Sequence, residues 1–458
     1  MAIAVGNRGS NSIGHAWLRR ELSLAVPPPA VESYVAAGAR RTEVRGRRIV
    51  EQYPRQYATE DSIVAHLRFA LRHEPIDLGV LVATFKAIEA ADLEAWVRAE
   101  PTGAFSRRAW FFYETFTGRM LDLDDARTGN YVPALDPDKH IVGEPRRSRR
   151  HRVADNLLGG PGLCPTVRRT PRLTDQMDLR IDRQAWALIE SIDAGILARA
   201  VHYLFTKETR SSFALEGETP STARSERFVA ALREGGDFDP SDKAALIRLQ
   251  GDIVDPRYAA TGWRTFQNFV GATVEGYRED VHFVGPRPGD VPGLHHVLAR
   301  RGYSPPGVIF PVSAAILRDR RSYDETLETF SRATLGLIRW RWTAAREIVV
   351  DNETADLYRY FDATAFAEYL HDRVADTVRR DLTEELAFIA VFDRACAAVR
   401  EIVDMPDRRV ALFVRLCMQN GGRLSAKKRR LFAELEDVEV DAMQASIGDA
   451  LADATSGP

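Results

Sequence analysis

Cysteine is scarce in this chain of 458 residues, and long apolar runs do not occur. The three cysteines, Cys164, Cys396 and Cys417, are far apart, which excludes a disulfide framework and a Cys-x-x-Cys metal site. No run of about 18 apolar residues offers a membrane span. Residues 1–11 contain no apolar core of the kind found in signal peptides. We therefore expect a soluble, cytoplasmic protein that does not contact a membrane.

Lysine is also rare, because all but six of the 63 Lys and Arg residues are arginine. With 65 Asp and Glu residues the formal net charge is −2, which argues against a protein that binds nucleic acid with its whole surface. We attribute the arginine excess to a GC-rich coding sequence. Residues 146–152, Arg-Arg-Ser-Arg-Arg-His-Arg, fit either a phosphate-binding patch or a solvated loop with acidic neighbours, and we favour the loop.

Common catalytic and nucleotide-binding motifs are absent as well. The sequence contains no GxxxxGK[ST] loop, no HExxH, no GxSxG and no GxGxxG after a strand. No Cys/His group has zinc-ligand spacing. Motifs alone therefore predict no catalytic residue and no metal ligand.

The residues that are present predict a folded, mainly α protein. Hydrophobic residues make up 45% and charged residues 28%, as in ordinary globular proteins. Apolar residues recur at helical spacing after Ser62 and along the stripe Leu197, Val201, Leu204 and Phe205. We expect three regions: an N-terminal helical extension at 1–185, a core at 186–345 and a C-terminal helical region at 346–458.

One segment of the core region is strand-like. Residues 264–270 and 281–284 are rich in aromatic and β-branched side chains, and a glycine-containing stretch separates them. This pattern predicts a β-hairpin.

The segment Ser211-Ser212-Phe213-Ala214-Leu215-Glu216-Gly217 stands out among the helical stretches. Read on its own, it predicts a single helical turn that Ser212 caps and Gly217 ends, with Glu216 one turn after the serine. An isolated SxxxEG string of this kind is typical of a capped connector between two helices.

The same string resembles the inhibitory motif [ST]xxxE[GN] of the Fic (Fido) family, adenylyltransferases that move AMP from ATP to a protein hydroxyl. Residues 262–271 resemble the segment that leads into the flap hairpin of that family. Residues 281–294, 295–303 and 313–330 resemble its proline-rich segment and the two helices that follow its active-site loop. Strings between 129 and 170 resemble the N-terminal extension of a bacterial subgroup, so the resemblance runs from about 60 to 440.

The resemblance implies a Fic-like helical core with a β-hairpin flap, a target protein as partner, and ATP and Mg²⁺ as cofactors. It also implies two sets of site residues. The regulatory set is Ser212, Glu216 and Gly217, and the target-binding flap set is Arg264, Gln267, Asn268, Val270 and Gly271.

The family signature HPFx[DE]GNGR is missing from this sequence, because Leu294 runs directly into His295 and His296. The signature supplies the base that deprotonates the target hydroxyl, the acidic ligand of Mg²⁺ and the loop that binds the triphosphate. We therefore expect a chain that is incomplete at its active-site helices and catalytically inactive. We expect His295 and His296 to be ordinary helix residues, and residues 420–422 to form a turn.

Two alternatives use no catalytic loop. The first is a protein- or peptide-binding module that pairs its flap strand with an extended partner. The second is a DNA-associated regulator that uses a helix-turn-helix-like segment at 408–445, against which Glu434, Glu436 and Asp437 weigh. Because core helices are missing, self-association is a further hypothesis.

Overall fold

The structure, a computed structural model, describes residues 11–46, 48–234, 242–254, 257, 259, 261–274, 278–287 and 310–455. Helices contain 56% of the residues and strands 13%, so the expected mainly α class is confirmed. Within those ranges the helices are, in chain order, α1 His15–Glu21, α2 Ile63–His73, α3 Leu78–Ala87, α4 Ala90–Ala99, α5 Ala104–Thr117, α6 Pro171–Asp178, α7 Ile181–Glu190, α8 Ala194–Leu215, α9 Thr222–Glu234, α10 Lys243–Ile253, α11 Val312–Arg318, α12 Arg320–Thr334, α13 Ala355–Arg359, α14 Thr364–Asp376, α15 Thr383–Ile402, α16 Asp407–Met418, α17 Ala426–Arg429 and α18 Asp437–Thr455. The strands are β1 Ser12–Ile13, β2 Val31–Ala36, β3 Arg41–Arg45, β4 Arg48–Pro54, β5 Val132–Pro133, β6 His140–Ile141, β7 Arg146–Ser148, β8 Val153–Asp155, β9 Val167–Arg168, β10 Phe269–Val274, β11 Arg278–Val284, β12 Trp340–Trp342 and β13 Ile348–Val350.

The N-terminal region begins with a four-stranded sheet in the order β1–β2–β4–β3. β2 and β4 are parallel, with Val31 opposite Ile49, and β3 is antiparallel to β4. In β2, Val31 and Ser33 are buried, whereas Glu32 and Tyr34 are only partly buried. This alternation is typical of a strand with one face covered by the core. The extension expected to be helical at 1–185 contains α1 to α6 and the start of α7, but it also contains β1 to β9.

The helices of this region pack beside the sheet. α2 begins after Ser62 as expected, since the serine Oγ accepts a hydrogen bond from the backbone N of Ala65 at 3.3 Å. Phe69 of α2 contacts Tyr53 of β4 edge-on, with 5.1 Å between ring centroids. α5 is buried along most of its length and, with Trp110 at its centre, contributes to the N-terminal cluster, the hydrophobic core of α1 to α5.

The centre of the chain is organised around α8, the longest helix in the described ranges at 22 residues. The predicted apolar stripe is confirmed: Leu204 and Phe205 are buried, and Leu197 and Val201 are partly buried. With α7, α14 and α15, α8 forms the middle cluster of hydrophobic residues.

The predicted hairpin is confirmed, although β10 begins at Phe269 and not at residue 264. β10 and β11 pair in antiparallel fashion, from Phe269 opposite Val284 to Val274 opposite Arg278. Val281 and Val284 are buried against residues of β12, β13 and α13, and together they form the hairpin cluster.

The last region of the chain is helical, as predicted. A π-helical stretch at Thr377–Leu382 joins α14 to α15 without a break. α15 then packs against α16 and α18 around the C-terminal cluster, which includes Phe413 and Phe432.

The chain returns to the N-terminal region after β13. Tyr360 belongs to the N-terminal cluster, and the backbone N of Thr166 donates to the carbonyl of Phe361 at 3.0 Å. Arg168 pairs with Asp362 at 2.8 Å. Residues on either side of the expected boundaries at 185 and 345 therefore share one interface. In the part of the chain described above, no helix combines the length and apolarity needed to cross a membrane.

Candidate functional site

Ser212 lies inside α8, four residues before Glu216, and not at the start of a helix. The N-terminal cap of α8 is Asp193, whose Oδ1 accepts hydrogen bonds from the backbone N atoms of Gly195 and Ile196 at 2.8 and 3.2 Å. The expectation that Ser212 caps a helical turn is therefore wrong. The apolar periodicity continues through Phe213, so one long helix forms instead of a new turn.

Ser212 instead helps to join α8 to α11. Its Oγ lies 3.0 Å from Ser313 Oγ and donates to Glu208 Oε1, one turn earlier, at 3.4 Å. Glu208 also accepts hydrogen bonds from the backbone N and the hydroxyl of Ser313, at 2.9 and 2.6 Å. Burial raises the pKa of Glu208, and the serine hydrogen bonds oppose that rise. The three side chains form a hydrogen-bonded junction that holds α11 against the C-terminal part of α8.

Gly217 ends α8, as predicted. It has φ +71°, a left-handed conformation that favours glycine. Its N–H donates to the carbonyl of Ala214 at 3.1 Å, and the N–H of Glu218 donates to the carbonyl of Phe213 at 2.8 Å. These two bonds make a Schellman motif, which satisfies carbonyls that the helix end leaves open.

Glu216 occupies the C-cap position at this helix end, and its side chain is exposed. Burial raises the pKa of Tyr323 in α12, and the negative charge of Glu216 adds to that effect. Glu216 is therefore close enough to α12 for its charge to act on Tyr323.

Sequence reasoning missed a charge cluster beside the junction, formed by Lys207, Arg318, Asp376, Asp381 and Glu385. Asp381, whose side chain is 1% exposed, lies 2.6 Å from Lys207 Nζ. It also accepts two hydrogen bonds from the Arg318 guanidinium at 2.9 and 2.7 Å. Burial would raise the pKa of Asp381, but the bonds from Arg318 and Lys207 lower it. No sequence pattern could have revealed the cluster, because its members come from five separate elements.

Glu385 is the unusual member of the charge cluster. Burial raises its pKa to about 7, while Lys207 opposes the shift and Asp381 adds to it. All of these charges belong to packed helices. The cluster is therefore an internal ion-pair network rather than an open site.

Among the described residues no three His, Cys, Asp or Glu side chains are grouped so as to bind a metal ion. The sequence also has no signature loop to bind a triphosphate. His295 and His296 lie outside the described residues.

Three of the flap residues hold the base of the hairpin together. Arg264 donates to the carbonyl of Pro286 at 2.6 Å, and Gln267 Nε2 donates to the carbonyl of Gly285 at 2.6 Å. The carbonyl of Asn268 accepts a hydrogen bond from the backbone N of Gly285 at 2.8 Å. Arg264, Gln267 and Asn268 therefore fix the position from which the two strands extend.

The other two flap residues lie in β10. The register shifts between Val270 and Gly271. A Cβ atom on Gly271 would lie 2.6 Å from the carbonyl oxygen of Asp280, so only glycine allows the strands to approach this closely. Val270 is 59% exposed, as is Phe266 just before the strand. Val270 is thus an apolar flap residue whose side chain is available to a partner.

The two sets of predicted site residues lie on different parts of the core. α8, which carries Ser212 and ends at Glu216, packs into the middle cluster, whereas the hairpin packs into the hairpin cluster. No hydrogen bond between the two sets occurs among the described residues. The structure therefore contains two separate candidate sites, one at the end of α8 and one at the hairpin.

The arginine-rich run at 146–152 forms β7 and the turn before β8, so its first part is a strand and not a loop, while Arg146, Arg147 and Arg149 are exposed as expected. Its acidic neighbours are as expected: Arg150 forms ion pairs with Glu114 at 2.8 Å and with Asp125 at 3.0 Å. Arg147 and Arg152 both lie over the ring of Tyr131. Arg147, Arg150 and Arg152 therefore make contacts within the protein.

The turn predicted at residues 420–422 is confirmed, with Gly421 and Gly422 at φ +65° and +88°. No protein-family model, no curated protein and no solved structure matches this chain. The functional conclusion therefore rests on the residues described above and on the resemblance of the sequence.

Proposed function

We propose that this chain is a Fic-type protein without AMP-transfer activity, and that it binds an extended segment of a partner protein along β10. A hairpin with a fixed base and an exposed, uncharged strand is the observation that carries this proposal. The resemblance of residues 262–271 to the lead into a flap adds to it.

The composition of β10 favours strand pairing. Its sequence, Phe-Val-Gly-Ala-Thr-Val, has no charged residue, whereas β11 begins Arg-Glu-Asp. Exposed edge strands usually carry charges or proline that prevent pairing with other chains. An edge that lacks them can accept an extended peptide through backbone hydrogen bonds. Exposed Val270 would then contribute apolar contact with the partner.

The anchoring of the hairpin favours binding without large rearrangement. Val281 and Val284 of β11 are buried in the hairpin cluster. Arg264 and Gln267, before β10, form hydrogen bonds with the carbonyls of Pro286 and Gly285, after β11. A strand that is already ordered loses less conformational entropy when it pairs with a peptide.

Because the signature is missing, Glu216 has no partner for the inhibitory role that the corresponding glutamate has in Fic proteins. In Fic proteins the inhibitory glutamate pairs with the last arginine of the signature, and this sequence has no such arginine at that place. Glu216 is exposed at the end of α8. We propose that the motif persists here as a helix end and not as an inhibitor.

A transfer assay tests the inactive part of the proposal. The protein is incubated with ATP labelled on its α-phosphate, Mg²⁺ and a cell lysate, beside a Glu216→Gly variant and a heat-denatured sample. We expect no label on protein above the denatured control for either chain. Label that depends on the native chain would show that the protein still transfers AMP.

A capture experiment tests the binding part. Wild type, Val270→Lys and the control Val44→Lys are immobilised, and the proteins retained from a lysate are identified by mass spectrometry. Both valines are exposed strand residues, at 59% and 68%, but Val44 lies in β3 of the N-terminal sheet. We expect Val270→Lys alone to lose a partner, because a charge replaces apolar contact at the paired edge. Equal retention by the two variants would exclude β10 as the binding edge.

A further inference from the structure

The exposed side of α16 and α17 carries a set of basic residues that the proposed function does not use. On α16 the buried residues Val410, Phe413, Val414 and Cys417 mark the core side. Arg408 and Arg415 are exposed and lie two turns apart on the other side, about 10.5 Å along the axis at 1.5 Å per residue. The exposed basic residues of this segment, here called the basic face, are Arg408, Arg415, Arg423, Lys427, Lys428 and Arg430.

α16 packs against the 3-10 turn at Arg430–Phe432, which directly follows α17. The rings of Phe413 and Phe432 contact edge-on at 5.0 Å, and Arg409 lies over the ring of Phe432 at 4.6 Å. Arg409 also donates to the carbonyl of Leu431 at 2.8 Å. α16 and the turn that follows α17 are therefore in contact, and the basic residues belong to one connected segment.

The acidic residues that weighed against nucleic-acid binding are mostly engaged elsewhere. Glu434 is paired with Arg409, and Asp437 is paired with Arg429 at 2.7 Å. Arg409 and Arg429 are both partly buried and do not belong to the basic face. The basic face itself has no acidic partner among the described residues.

Asp407 of α16 is paired with Arg400 at 2.9 Å, and exposed Glu436 lies just before α18. Further negative charge lies on α18. That helix contains five acidic residues and no basic ones: Asp437, Glu439, Asp441, Asp449 and Asp453. α18 packs against α15 and α16. A chain with almost no net charge therefore separates its charges locally, with a basic surface on α16 and α17.

We propose that the basic face binds the sugar-phosphate backbone of duplex DNA. α16, the seven residues after it and the four-residue α17 follow the order helix, turn, helix, and in helix-turn-helix proteins basic side chains of such a segment contact phosphates on either side of a groove. The left-handed residues Gly421 and Gly422 make that turn. Backbone contacts of this kind are independent of base sequence, so we predict affinity for duplex DNA of any sequence.

Salt dependence is the first test. The full-length chain is titrated against a fluorescein-labelled 20-base-pair duplex of mixed sequence, and anisotropy is measured at 50 to 200 mM NaCl. Six phosphate contacts at about 0.9 each predict a slope of log K against log salt near −5, or about a 10³-fold loss across this range. Absence of binding at 50 mM NaCl would overturn the proposal.

Paired variants assign the binding to this face. Lys427→Gln/Lys428→Gln removes two charges from the basic face, and Arg20→Gln/Arg119→Gln removes two exposed charges from the N-terminal region. We expect only the first to weaken binding and to make the slope less negative by about 1.8, at 0.9 per contact. If the two double variants bind alike, the face is not the site.

Two further measurements remove ambiguity. Circular dichroism of every variant shows whether it folds. If the lysine double variant does not fold, the double variant Arg408→Gln/Arg415→Gln replaces it and should weaken binding in the same way. An RNA hairpin and vesicles containing phosphatidylserine are titrated under the same conditions. Tighter binding to either of these than to the duplex would overturn the assignment to DNA.

Discussion

Arginine side chains supply many of the internal hydrogen bonds of this protein. Arg107 donates to the carbonyl of Asn130 at 2.8 Å, and Arg108 donates to the carbonyls of Ala134 and Leu71 at 2.9 and 2.7 Å. Burial lowers the pKa of Arg108 to about 10. A guanidinium has five donors in a rigid plane, which suits it to several carbonyls at once. Arg107 and Arg108 therefore have a structural role, which a GC-rich coding sequence alone would not explain.

Glu114 is the most heavily bonded carboxylate near these arginines. It accepts hydrogen bonds from Trp110 Nε1 at 2.7 Å, from the backbone N of Leu121 at 2.9 Å and from Arg150 at 2.8 Å. Burial alone would raise the pKa of Glu114. The bonds from Arg150, Trp110 and Leu121 outweigh burial and lower the pKa to about 2.

Arg150→Gln should lower the free energy of unfolding at pH 7 by about 2–3 kcal/mol, since it leaves a buried carboxylate without its cation. Urea denaturation measures this difference. Arg149→Gln is the control, because Arg149 is exposed and its change should stay within about 0.5 kcal/mol. Equal effects of the two changes would contradict the assigned role of Arg150.

The same pair predicts a pH dependence. The carboxyl pKa of Glu114 is lower in the folded chain than its ordinary value of 4.5, so its stabilising contribution is present above 4.5 and is lost as pH falls toward 2. The advantage of wild type over Arg150→Gln should therefore shrink between pH 4.5 and pH 2. Denaturation curves at pH 7, 4 and 3 check this, and a constant difference would exclude the linkage.

At the level of the helices, replacing glycine should have opposite effects on stability at the end of α8 and within α10. Gly217 has a left-handed φ. Gly251 lies inside α10, and a Cβ atom added to it would contact no other group. Gly217→Ala should lower stability by about 1 kcal/mol, because an alanine is strained in the left-handed region. Gly251→Ala should raise stability by about 0.5–1 kcal/mol, because alanine is the better helix former.

Thermal denaturation of the two alanine variants compares them under identical conditions. We expect midpoints that move in opposite directions from the wild-type value. A fall in both midpoints would mean that Gly251 has a role in packing, and no change at Gly217 would mean that the helix end is not constrained.

The elements themselves were partly predictable from local patterns. The hairpin, the stripe of α8 and the glycine that ends α8 follow from period and residue type, which act over a few positions. The role of Ser212 could not be predicted, because its partner Ser313 is 101 residues away and comes from another helix. The N-terminal sheet was missed because β2 and β4 pair in parallel, and the short hydrophobic stretches of such strands are weak signals on their own.

Considered as a whole, the molecule joins its first and last regions through the segment around Tyr360. This side chain is 5% exposed, contacts Phe116 edge-on and donates a hydrogen bond to the carbonyl of Pro161 at 2.5 Å. The N-terminal cluster is thus completed by a residue about 200 positions further along the chain. We infer that residues 1–185 depend on the C-terminal region for stability.

Tyr360→Ala should destabilise the protein by about 3 kcal/mol, as is typical for loss of a large buried ring. Tyr203→Ala is the matched control, because Tyr203 is 47% exposed on α8 and its loss should cost less than about 1 kcal/mol. Urea denaturation followed by tryptophan fluorescence reports on Trp110 and its neighbours in the N-terminal cluster. Similar curves for both variants would show that the cluster does not need Tyr360.

Composition and short-range pattern were sufficient for the mainly α class, the β10–β11 hairpin and the left-handed end of α8, because each depends on residues close together in the chain. The flap residues were implied only by the resemblance to the Fic family, which did not give the contacts that each one makes. Only tertiary structure showed that Arg264 and Gln267 tie the hairpin base while Val270 is exposed. It likewise assembled the charge cluster of α8, α11, α14, the π-helical stretch and α15, and it paired Glu434 and Asp437 with arginines so that the basic face is left free. Hydrogen bonds and ion pairs between distant residues depend on how the helices pack, and that packing is a property of the whole chain.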